Sequence, residues 1–94
     1  VHLSDQYTLD SARTVFFRKE SKKIEILANW FNENRYGWSS SSASWAAPDY
    51  FLSGKYFSFL VYTDGVVVRF TDRKGKPRQY TKAVPKSELN FLLE

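Results

Sequence analysis

Cysteine and methionine are absent from the chain, and histidine occurs once, as His2. The lack of cysteine excludes disulfides, thiolate metal sites and a cysteine nucleophile, and it suits a reducing cytoplasm. With no interior histidine, no serine or threonine has the usual base to activate it, and a terminal histidine reads as a chain end rather than a ligand. Glycine is sparse: Gly37, Gly54, Gly65 and Gly75 stand apart, each in a turn context, so there is no glycine-rich phosphate cradle. A Gly-x-Ser-x-Gly elbow, a His/Cys ligand set and calcium-loop spacing of carboxylates are missing as well. Carboxylate acid–base chemistry through Glu33, Asp49, Asp64 and Asp72 is the one catalytic route left, and hairpin turns already explain Asp64 and Asp72. The expectation is a non-enzyme with no metal and no cofactor. No apolar run approaches the roughly 20 residues of a membrane helix, so a soluble chain is expected. It opens on Val1 rather than methionine, which fits a trimmed or processed product and leaves a removed signal peptide open.

What is present is aromatic and basic. Ninety-four residues suit one domain, 1–94, with one core. A hydrophobic share of 43%, with 8 Phe, 6 Tyr and 3 Trp, argues for a folded globule, and rings with polar tips also favour interfaces. The net charge is +4. Arg18, Lys19, Lys22 and Lys23 form one basic cluster; Arg73, Lys74, Lys76, Arg78, Lys82 and Lys86 form another. Such clusters attract phosphates or an acidic protein surface, or else they simply solvate a helix start and a hairpin tip.

The densest signal is Tyr56–Thr71, two β-branched and aromatic runs joined by Asp64-Gly65. A two-residue type I′ turn there places Thr63 opposite Val66, Val61 opposite Val68 and Phe59 opposite Phe70. Phe57, Phe59, Val61, Val66, Val68 and Phe70 then share a core face, with Tyr56, Leu60, Tyr62, Val67 and Arg69 on the other. Upstream, residues 1–9 lack a period and read as a loose end. Residues 10–19 fit either a short helix or a strand, with a slight lean to helix. Ile24, Leu27, Ala28 and Phe31 mark an amphipathic helix capped by Ser21 and ended by Gly37, with Trp30 beside the stripe. The serine run 39–44 between Trp38 and Trp45 reads as an anchored surface loop. Tyr50-Phe51-Leu52 starts a strand, and 78–82 forms another after the turn at 73–77. Pro85 opens a short last helix with Leu89, Leu92 and Leu93 as its stripe and Phe91 beside it. The expected architecture is α+β: a four-stranded antiparallel meander with one or more N-terminal helices and a short C-terminal helix packed on one face.

The second face carries the functional candidates. Beside Val67, the residues Tyr56, Leu60, Tyr62 and Arg69 have the composition of a protein-interface patch, extended by Trp45 and Tyr50 and joined by Arg78 and Tyr80. Whether Tyr80 faces the core beside Phe70 or this patch beside Arg69 depends on the length of the 73–77 turn. Cover by the N-terminal segment or by a second copy of the chain is the alternative for this face. The segments Trp45–Tyr50, Phe57–Val68 and Ser87–Leu93, in this compact cysteine-free layout, resemble the small bacterial immunity proteins that neutralise polymorphic toxins of the contact-dependent inhibition type. That resemblance implies a cytoplasmic inhibitor that binds a cognate toxin domain and blocks its active site or substrate entry, with no membrane or small-molecule ligand. The basic charge departs from the acidic character of many nuclease inhibitors. The rival reading is a nucleic-acid module in which tyrosines stack bases while Arg69, Arg78 and Lys82 hold phosphates, although the chain lacks the signature of the RRM sheet.

Overall fold

The computed structural model describes residues 6–10, 14–18, 20–41, 46–55 and 57–93. A seven-stranded antiparallel sheet runs through it, made of β1 (Gln6–Asp10), β2 (Thr14–Arg18), β3 (Ser39–Ser40), β4 (Tyr50–Ser53), β5 (Phe57–Val61), β6 (Gly65–Thr71) and β7 (Pro77–Ala83), in the spatial order β2-β1-β4-β5-β6-β7-β3. The α+β class and the central meander β4-β5-β6-β7 agree with the sequence, but four strands understate the sheet. The expected loose end contributes β1, which pairs Leu9 with Val15 of β2 and with Leu52 of β4. The leaning towards a helix at 10–19 is also corrected. Thr14-Val15-Phe16-Phe17-Arg18 is an edge strand, as its β-branched and aromatic content favours once a neighbouring strand accepts its backbone.

Strand alternation puts Tyr7, Leu9, Tyr50, Leu52, Phe57, Phe59, Val61, Val66 and Val68 on one inner face, all buried in a single core. Helix α1 (Lys22–Glu33) and a C-terminal 3-10 helix (Lys86–Leu93) cover that face. From α1 come Ile24, Leu27 and Trp30; from the 3-10 helix come Leu89 and Leu92. Ser21 makes no side-chain capping bond, and α1 ends at Asn34, not at Gly37. The Asn34 amide side chain donates to the Trp30 carbonyl, which also accepts the Asn34 backbone N–H, and so reinforces the last turn. Gly37 takes φ +87° in the turn that follows. The last helix has three residues per turn, so Leu89 and Leu92 share a face while Leu93, counted in the stripe by the sequence reading, is exposed.

The β5–β6 hairpin corrects the expected turn. Val61 pairs with Val66, Phe59 with Val68 and Phe57 with Phe70. Tyr62 N–H donates to the Gly65 carbonyl at 2.8 Å, so Thr63 and Asp64 form the tip. No described non-glycine residue has positive φ and Gly65 does not either, which excludes a type I′ turn. The register moves by two residues, an even number, so both sets of side chains keep their faces. Gly65 has a different task. A Cβ there would lie 3.0 Å from the Lys82 carbonyl oxygen on the paired strand. That oxygen belongs to the ladder and does not rotate away, so Gly65→Ala is expected to cost about 1 kcal/mol by urea unfolding; an unchanged or higher midpoint would refute the close approach.

Candidate functional site

The helical layer is smaller than the sheet it covers. Seven strands at about 4.8 Å spacing span about 29 Å between the outermost strands. The 12-residue α1 is about 18 Å long and about 10 Å wide, and the eight-residue 3-10 helix adds only about 16 Å of length. Part of the inner face is therefore uncovered, and there a groove of about 680 Å³ opens between α1 and the sheet. One wall is α1 and its exit, through Ile24, Leu27, Ala28, Phe31, Asn32 and Arg35, the stripe of one helical face. Its floor is Tyr7, Phe57, Val68, Phe70 and Tyr80, with Trp38 at the end.

The aromatic rings hold one another in place. Phe31 stacks on Trp38 with centroids 6.2 Å apart, and Phe70 stacks on Tyr80 at 5.9 Å. Phe31 also meets Phe57 and Phe59 edge-on. Trp38 Nε1 donates to the Asn34 carbonyl, which fixes the indole at the helix exit. Lys82 reaches from β7 to the Asn34 side chain and to the Tyr36 carbonyl at 2.7 Å, and its ammonium lies 5.9 Å from the centre of the Trp38 ring. Arg35 is exposed and lines the groove, which has no acidic lining residue. The site is apolar, aromatic and bordered by positive charge.

The sequence-level candidates separate. Trp45 and Tyr56 lie outside the described residues. Tyr50 points into the core, and its hydroxyl donates to the Leu89 carbonyl; burial, helped by Asp49, pushes its pKa up to about 12. Leu60 is buried on the outer face, so its side chain is not displayed. Tyr62 is half-buried there, its hydroxyl donating to the Ala46 carbonyl at 2.6 Å; burial raises its pKa against the opposing pull of Arg69. Arg69 is exposed on that face. Arg78 lies near the start of β7, opposite Phe70, and is paired with Asp72 at 2.9 Å. Asp72 also accepts the backbone N–H groups of Lys74 and Lys76, and these bonds, that from Lys76 foremost, hold its carboxyl below the usual range. Tyr80 pairs with Val68, because the turn leaves five residues between Thr71 and Pro77, and so it takes the inner face beside Phe70.

Of the six described candidates, only Tyr80 lines the inner groove. By sequence pattern alone, Phe31, Trp38, Phe57 and Phe70 are core or loop anchors. A signal that could have found them is an aromatic count on the inner face larger than two short helices can bury. Among the described residues, no group of three His, Cys, Asp or Glu side chains gathers to hold a metal, and no helix is long and apolar enough to cross a membrane. No family model, curated protein or solved structure matches the chain.

Proposed function

We propose that the chain is a non-enzymatic protein-binding module that neutralises a cognate bacterial toxin domain in the cytoplasm, with the inner groove seating an apolar anchor of an acidic partner surface. One observation carries this reading: a groove of about 680 Å³, walled by Phe31, Trp38, Phe70 and Tyr80, stays open in the folded chain. Aromatic pockets of this kind take the few anchor side chains that dominate interface energetics. The charge of the partner follows from Arg35 and Lys82 beside the groove, the lack of acidic lining residues and the net charge of +4. The toxin as target rests on the resemblance of the three segments to immunity proteins.

The nucleic-acid reading has less support. It needs an open aromatic sheet face, whereas Tyr62 is bonded to Ala46 and both Leu60 and Val67 are buried.

The test is calorimetry of this chain with the polypeptide encoded by the neighbouring gene, together with growth rescue when the two are co-expressed. A stoichiometric complex is expected, and Arg35→Glu should weaken it at least about tenfold with little change in melting temperature, since Arg35 is exposed. No complex, alongside nucleic-acid binding that collapses between about 50 and 200 mM salt, would overturn the proposal in favour of its rival.

A further inference from the structure

We propose that the outer face carries a binding site for a small oxyanion, carboxylate or phosphate, centred on Arg69. Alternation along β6 places Arg69 opposite the groove side of the sheet, in a row across the strands with Ser58 and Gln79. It lines a second, polar basin of about 570 Å³ with Lys55, Ser58, Thr71 and Gln79.

The guanidinium is oriented without being neutralised. Its Nε donates to Gln79 Oε1 at 2.6 Å, and Gln79 Nε2 donates in turn to the Ser41 carbonyl at 3.3 Å. An amide partner fixes direction and leaves the full positive charge, whereas a carboxylate would cancel it. Among the described residues no carboxylate pairs with Arg69, and no acidic residue lines the basin. The nearby Arg78 shows the contrast, since Asp72 neutralises it. The terminal amines of Arg69 thus form a planar pair of donors, the geometry that recognises two oxygens of one anion, with the Ser58 and Thr71 hydroxyls lining the same basin. Phe57 and Phe70 border both this basin and the groove, but Arg69 lines only the basin and Arg35 only the groove, and the test of the basin does not depend on the partner.

Titration of the full chain with inorganic phosphate and with sodium acetate, against sodium chloride at equal ionic strength, reads it directly by NMR. Saturable shifts are expected at the Arg69 Nε–H and at the amides of Ser58 and Thr71, produced by phosphate, acetate or both but not by chloride. Phosphate alone assigns a tetrahedral ion, and acetate alone assigns a carboxylate. Arg69→Lys keeps the charge but loses the fork, and it should weaken the apparent affinity at least about tenfold. Arg69→Gln should abolish saturation with little change in melting temperature, because the residue is exposed. Shifts that grow without saturating, that chloride reproduces, or that survive Arg69→Gln would overturn the proposal, while Arg35→Glu should leave them unchanged.

Discussion

Phe59→Ala is expected to remove about 3–5 kcal/mol of folding stability, the range for deleting a fully buried phenylalanine ring. Phe59 has no solvent exposure and sits on β5, close to the middle of the sheet. Its ring lies 5.1 Å from Phe31 and 5.8 Å from Trp30, so it joins the central strands to α1. A rigid sheet backbone on one side and two large rings on the other leave little room for collapse into the cavity. A domain of this size has about 5–15 kcal/mol in total, so the variant should be marginal at room temperature and melt more than about 12 °C lower. Circular dichroism with urea and heat measures both. A loss below about 1 kcal/mol would mean that the helix is not held on the sheet as described.

Phe70→Ala should separate binding from folding. Phe70 is half-buried, on the groove floor and stacked on Tyr80. Truncation removes the surface that an anchor side chain would cover, and an interface hot spot of this type is worth about 2 kcal/mol or more, or about 30-fold in affinity for the proposed partner. The stability cost should be smaller, about 1–2 kcal/mol, because the ring is already partly in water. Calorimetry on the complex and urea unfolding of the free chain give the two numbers. An affinity loss under threefold would remove the groove from the interface, even if Arg35→Glu still weakened binding.

Much of the fold was legible because period-2 patterning survives an even shift of register. The turn expected at Asp64-Gly65 sits one position earlier, at Thr63-Asp64. Yet Phe57, Phe59, Val61, Val66 and Val68 fall in the core as read, because a two-residue shift conserves faces. The ends were less legible. Gln6–Asp10 pairs with the adjacent Thr14–Arg18, but its place in the sheet comes from pairing with Leu52 and its neighbours more than 40 positions away, and nothing local specifies that second partner. Ser39 and Ser40 join β7 in the same way, despite side chains that favour loops. The site was the least visible. Phe57 and Phe70 have the same pattern whether a helix covers them or leaves them open, so only the size of the covering layer reveals the groove. On the other face, the patch read as displayed is partly closed, with Leu60 and Val67 buried and Tyr62 tied to Ala46.

The strand order also governs how the sheet assembles. β4 through β7 follow one another through tight reversals and can zip up locally, as β1 and β2 can with each other, but docking β1 on β4 and β3 on β7 is not local. Thr8 must find Ser53, and Ser40 must find Tyr80. Each closure restricts some 40 residues of chain before its few ladder bonds form, and that entropy is lost before any contact repays it. The central hairpins are therefore the natural nucleus, and the kinetics of the whole chain are set by the arrival of its outer strands.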